Sequence, residues 1–155
     1  MLSHQQSYQH ANVLIIDGHD KERRFYARRL SDCAPQHTIV EAENGRSGLD
    51  IFRSSRIDCV VLDLDLTDIS SFEVLGTLVA PPQKPEVAVI VLTNQCNQSL
   101  FERARREGAA SCLVKSVTSG YLLSQVIQKA VHVVGTREAR PSCWQGAESH
   151  GCLVD

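Results

Sequence analysis

Asp58-Cys-Val-Val-Leu-Asp63 is a strand-length apolar run that ends abruptly in an acid. An acid in that position stands at the C-terminal mouth of a buried strand, where open α/β sheets place their ligands and chemistry. Three other apolar runs finish in the same way, at Asp17 after Val-Leu-Ile-Ile, at Thr93 after Val-Ile-Val-Leu, and at Lys115 after Cys-Leu-Val. If these runs are parallel neighbours, two acids, a hydroxyl and an ammonium meet on one patch.

Working outward, short β-branched runs at 12–17, 37–41, 57–63, 87–93 and 111–115 alternate with amphipathic stretches. This alternation is the sequence form of a βα repeat, and it predicts an α/β fold with a five-stranded parallel sheet. Helical spacing puts Phe25, Leu30 and Cys33 on one face of the first helix, with Lys21, Arg23, Arg24, Arg28 and Arg29 as its polar surface. Leu49 and Phe52 anchor the second helix, Phe72 and Leu75 the third, and Leu100 with Ala104 a fourth that Gly108 closes. The fifth repeats from Leu122 to Val134 behind a Thr118 or Ser119 cap. The proline-rich segment Ala80 to Pro85 is expected to be a loop. The expected organisation is therefore a flexible N-terminal arm over 1–11, one domain over 12–134, and a disordered tail over 135–155 in which Trp144 is the one candidate docking residue.

A hydrophobic fraction of 43%, a charged fraction of 22% and a formal net charge of -2 describe an ordinary soluble domain. They predict no broad electrostatic grip on nucleic acid or on an anionic membrane. The cysteines at 33, 59, 96, 112, 143 and 152 form no Cys-x-x-Cys pair, and Cys59 and Cys112 lie inside apolar runs, so they read as reduced residues. With no secretory segment and no apolar stretch approaching the ~20 residues of a membrane span, a cytoplasmic location is expected. The terminal Cys-Leu-Val-Asp is a poor prenylation box, because its last residue is acidic and no polybasic segment precedes it.

Converging Asp17 and Asp63 would repel each other, and a hard cation with oxygen ligands relieves that repulsion; Mg²⁺ suits such a partly hydrated site. Lys115 adds a mobile point charge for a phosphate, and the Thr93 hydroxyl can hydrogen-bond an arriving oxygen. Phosphoryl transfer needs this set: a nucleophile, for which Asp63 is the natural candidate, a metal, and a positive charge facing the developing negative charge.

The stretches Val13-Leu-Ile-Ile-Asp17, Asp58-Cys-Val-Val-Leu-Asp63, Val91-Leu-Thr93 and Gly108-Ala-Ala-Ser-Cys-Leu-Val-Lys115, in that order, resemble the receiver domain of two-component response regulators over residues 12–134. The resemblance implies a flavodoxin-like, doubly wound parallel sheet in the order 2-1-3-4-5 with helices on both faces. It further implies a single-domain response regulator that is no independent enzyme, although such domains assist their own phosphorylation and dephosphorylation. Asp63 would accept a phosphoryl group from a histidine kinase or phosphotransfer protein, and Thr93 and Lys115 would engage the phosphoryl oxygens. Asp17, Asp63 and the backbone carbonyl of Asp65 would hold Mg²⁺. Output would pass through a downstream protein target, with the basic first helix as a donor-docking face and a homodimer through the fourth and fifth helices as an option.

Several positions depart from that family's pattern. Gly18 stands where a second acid is usual, so Mg²⁺ binding is expected to be weakened; Asp20 is expected to cap the first helix, and His19 to be an exposed loop residue. Ser116 replaces the usual proline, so the Lys115–Ser116 peptide is expected to be trans in a rearranged loop. Cys112 takes the place of the aromatic switch residue, Ser70 and Ser71 that of an acid-glycine pair, and Thr67 that of a proline. Gly18 sustains one alternative, a pseudo-receiver that acts as an interaction module with weak or no Mg²⁺-dependent phosphorylation. A flavodoxin-type redox protein shares the architecture but would need a Ser/Thr/Gly-rich phosphate loop after the first strand, and its flavin phosphate would meet an acidic pocket.

Overall fold

The computed structural model describes residues 9–80 and 87–151, and side chains as far as 135. Five strands, β1 Asn12–Ile16, β2 Thr38–Ala42, β3 Cys59–Leu62, β4 Ala88–Thr93 and β5 Ser111–Val114, alternate with five helices. These are α1 Asp20–Cys33, α2 Gly45–Ser54, α3 Ser71–Val79, α4 Gln98–Arg106 and α5 Gly120–Gly151. All strand pairs are parallel, in the order β2-β1-β3-β4-β5, as expected for the doubly wound flavodoxin-like fold.

Every residue of β3 and β4 is buried, because helices cover both faces of the central strands. Alternate side chains divide the core in two. Leu14, Ile16, Val60 and Leu62 pack with Leu49 of α2, Val74, Leu75 and Leu78 of α3, and Ala104 of α4. Val13, Ile15, Cys59 and Val61 pack on the other face with Tyr26, Ala27 and Leu30 of α1 and Leu123 and Ile127 of α5. The register aligns Ile16 with Leu62, so the residues that follow them, Asp17 and Asp63, leave adjacent strands side by side.

The turns place these elements with little slack. The Asn44 side chain caps α2 by accepting from Ser47 N–H, and the Asp68 carboxylate accepts from Gly45 and Arg46 N–H at 2.9 Å each, tying the β3–α3 loop to the α2 N-terminus. After α4, Gly108 takes φ 117°, a conformation that side chains resist, which fits the expected terminator. Gly48 lets α2 approach β1 closely: an added Cβ would lie 2.5 Å from Ile16 Cδ1 and 2.8 Å from its Cγ1. Gly48→Ala is therefore expected to destabilise the fold by about 1–3 kcal/mol despite its better helix propensity, measurable by urea denaturation.

Helix α1 differs from its sequence reading. Phe25 and Cys33 face solvent, with Phe25 under the Arg29 guanidinium, and the buried stripe is Arg23, Tyr26, Ala27 and Leu30. Spacings of three and four residues select that stripe, and Phe25 lies one position off it. Arg23, expected on the polar surface, is buried because Asp20, Glu41 and the Asp17 carbonyl all accept from it. Nor is Asp20 the cap: His19 occupies that position, and Asp20 begins the helix.

Ala11, assigned to the N-terminal arm, is fully buried, and its N–H donates to His37 Nδ1. At the other end the α5 backbone continues as helix past Gly135, where the apolar repeat stops; the side chain of Trp144, the 81–86 part of the expected proline loop and the terminal 152–155 lie outside the described residues. Ala, Glu and Arg at 137–140 are all good helix formers, in keeping with a backbone that stays helical there. Among the described residues, no helix is long and apolar enough to cross a membrane.

Candidate functional site

Asp17 and Asp63 emerge at the C-terminal edge of the sheet with side chains only 5% and 1% exposed. Between them lies the Lys115 ammonium, carried by the three-residue 3₁₀ turn Lys115–Val117 that follows β5. Lys115 Nζ donates to Asp17 Oδ2 at 2.7 Å and to Glu22 Oε2 at 2.5 Å, and stands 3.5 Å from Asp63 Oδ1. The four elements β1, α1, β3 and β5 thus deliver three carboxylates to one cation.

Asp63 is the unsatisfied member. Neither of its buried oxygens has a hydrogen-bond partner among the described residues. Burial pushes its carboxyl above the usual carboxylate range; the Lys115 charge opposes this, and Asp17 and Asp65 reinforce it. For Lys115, burial favours the neutral amine but is outweighed by the hydrogen bonds to Asp17 and Glu22, so its pKa is raised. The same hydrogen bond from Lys115 lowers that of Glu22. A buried carboxylate with bare oxygens beside an ammonium is set to react with, or bind, an electrophilic or cationic group.

Thr93, at the end of β4, is fully buried, and its hydroxyl accepts from Gln95 N–H at 3.1 Å. The loop after it reaches over the acids: Asn94 donates to Glu22, and Gln95 donates to the Asp65 carboxylate. The expected convergence of Asp17, Asp63 and Lys115 is therefore present, while the Thr93 hydroxyl is engaged locally.

Sequence reading missed Glu22 and Tyr26. Both lie on α1 four residues apart, and the only signal was that spacing, which puts them on one face of the helix. The Tyr26 hydroxyl reaches the carbonyls of Lys115 and Thr118 at 2.9 and 3.1 Å, securing the turn where a proline was expected. The peptide after Lys115 is trans, as expected, since the chain holds no cis bond among the described residues. Cys112 directs its thiol to the Phe101 carbonyl of α4. On α4, whose Arg103, Arg105 and Arg106 are candidates for a partner or dimer surface, Arg103 stacks on Phe72 at 3.8 Å and pairs with Glu107.

The donor set fits a hard divalent cation in part. Asp17 and the bare Asp63 carboxylate are suitable oxygen ligands, but position 18 supplies no acid. An added Cβ at Gly18 would have only Glu43 O nearby, at 3.7 Å, so a side chain is accommodated there. Gly18→Asp is expected to fold normally and to bind Mg²⁺ roughly tenfold more tightly, as followed by metal titration.

The model for the response regulator receiver domain matches residues 13–127. The chain belongs to that family. Within it, the receiver is 25% identical over 116 residues to the protein PilH of Pseudomonas aeruginosa, covering 75% of this chain and 94% of PilH. It is 31% identical over 143 residues to the transcriptional regulatory protein AfsQ1 of Streptomyces coelicolor, covering 92% of this chain but 58% of AfsQ1. Several curated relatives are likewise spanned for only about a quarter to 60% of their length. A receiver domain crystal structure from Clostridium thermocellum superimposes with a TM-score of 0.69 at 27% identity, over 79% of this chain and 94% of that one. A receiver domain is a signalling module, and the fold expectation holds in full.

Proposed function

We propose that this receiver accepts a phosphoryl group on Asp63 from a phosphohistidine of a sensor kinase or phosphotransfer protein and signals through a downstream protein. One observation carries the reading: a carboxylate 2% exposed, with neither oxygen hydrogen-bonded among the described residues and an ammonium 3.5 Å away, at the sheet edge where this fold puts its chemistry.

In the transfer, a lone pair of an Asp63 oxygen attacks phosphorus, the phosphorus–nitrogen bond breaks, and its electron pair returns to the donor imidazole, which takes a proton from solvent. Lys115 is close enough to follow the developing charge if it exchanges its bond to Glu22 for one to a phosphoryl oxygen. Thr93 would exchange its Gln95 N–H contact for donation to a phosphoryl oxygen. Mg²⁺ would be held by Asp17, Asp63 and the carbonyl of Asp65, and when bound it neutralises charge on the phosphoryl oxygens.

Incubation with acetyl phosphate and Mg²⁺, followed by intact mass measurement, is the test. The protein is expected to gain one phosphoryl mass. If none is gained at high Mg²⁺ or from a cognate kinase, the reading fails and the pseudo-receiver alternative replaces it. The cytoplasmic location belongs to the same proposal.

A further inference from the structure

The Lys115 ammonium contacts one oxygen of each buried acid, Asp17 Oδ2 and Asp63 Oδ1. The other two oxygens, Asp17 Oδ1 and Asp63 Oδ2, face the imidazole of His19, whose Nδ1 is 3.3 Å from the first and 3.4 Å from the second. The Asp63 oxygen receives no hydrogen bond there in spite of that approach. Glu22 Oε2 lies 3.8 Å from the same nitrogen, and ligand atoms of Asp17, His19 and Glu22 all fall within 4.8 Å of one another.

The 3.3 and 3.4 Å separations from His19 Nδ1 match two edges of a coordination shell, and Asp17 Oδ1 is turned to that side by the His19 N–H, which donates to it at 2.8 Å. Ligands ~2.0–2.1 Å from a tetrahedral cation stand about 3.3–3.4 Å apart. The bare Asp63 oxygen, buried and aimed at the cluster, is an independent sign that a cationic group belongs there.

We propose that His19 is a metal ligand, whose Nδ1 joins Asp17 Oδ1 and Asp63 Oδ2 to bind a first-row transition dication of the Zn²⁺ class. This deepens the reading of the same pocket given above and rests on it. An imidazole is a poor ligand for Mg²⁺ and a good one for Zn²⁺, so the exchange of an acid at 18 for an imidazole at 19 changes which cation the pocket prefers. His19, half exposed and at the N-terminal cap of α1, leaves the outer side of that cation open to water.

Equilibrium dialysis of the full chain against Zn²⁺ and, separately, Mg²⁺, with no phosphodonor present, tests the assignment in wild type, His19→Ala and His19→Gln. Both variants are expected to lose Zn²⁺ affinity by at least about tenfold while Mg²⁺ affinity stays within about twofold. In wild type alone, the His19 ring resonances should shift on Zn²⁺ addition. Equal Zn²⁺ affinity in all three proteins would overturn the proposal and assign the metal to other groups, such as the exposed Cys33 and Cys96. Parallel loss of Zn²⁺ and Mg²⁺ would also overturn it, since His19 would then be shaping the pocket rather than ligating. Phosphoryl uptake is read separately by mass, so failure of one reading is distinguishable from failure of the other.

Discussion

Lys115→Met is expected to destabilise the protein by about 3–5 kcal/mol at neutral pH, the usual consequence of removing one partner from a buried charge cluster. Methionine fills the space of the lysine stem, so little of the loss comes from a cavity. Glu22, 36% exposed, can turn to water, but Asp17 and Asp63 are 5% and 1% exposed and remain facing each other. The pH dependence identifies the cause. In wild type the raised Lys115 pKa contributes stability present at all pH values below its ordinary value of 10.5 and lost only as pH rises through the higher folded value. In the variant, Asp63, already raised by burial, loses the opposing pull of Lys115. An acid with a raised folded pKa favours the fold below its unfolded value and ceases to do so as pH rises through the folded one. The gap between variant and wild type should therefore narrow between pH 7 and pH 4.5 in urea denaturation. A constant gap would show that lost packing, not charge, is responsible.

Asp63→Asn is expected to abolish phosphoryl uptake while making the unphosphorylated fold more stable. The amide retains the shape of the carboxylate but cannot attack phosphorus as an anion. Burial and Asp17 oppose the charge of the wild-type acid, and neither of its oxygens is hydrogen-bonded among the described residues. Its pKa is raised, so the destabilisation is greatest at neutral pH and fades as pH falls toward its ordinary value of 3.8. Lys115 keeps Asp17 and Glu22 when Asp63 becomes neutral. The melting temperature should rise by a few degrees at pH 7, corresponding to about 1 kcal/mol, and the difference should shrink at pH 4. A variant that melts lower at pH 7 would mean that the Lys115–Asp63 attraction outweighs the desolvation of the acid.

Much of this architecture was legible because the central strands are buried on both faces and therefore read as continuous apolar runs bounded by polar residues, as at Val60, Val61 and Leu62 before Asp63. The acids and the lysine followed from those boundaries. Helix α1 was harder, because its stripe includes Arg23, a charged residue made tolerable inside by Asp20, the Asp17 carbonyl and, from β2, Glu41, which no local pattern supplies. Glu22 escaped notice for a related reason: it reads as one solvated acid in a charged turn until β5 brings Lys115 against it. His19 looked like a loop residue because its exposure is real, while its Nδ1 faces inward. The contacts of Lys115 with Tyr26, Glu22 and Asp17 join residues 89 to 98 positions apart, and only the closed sheet defines them.

The two grips of α1 on Lys115 have a mechanical consequence. Glu22 holds the ammonium and Tyr26, one turn further along, holds the carbonyl of the same residue, so the helix grasps the lysine at its tip and its root. Any displacement of α1 would therefore pull on the lysine at both ends at once, and on the 3₁₀ turn that carries it. The helix then acts as a lever whose short arm is the lysine side chain and whose long arm is an outer face with Phe25 and Arg29 open to whatever leans on it.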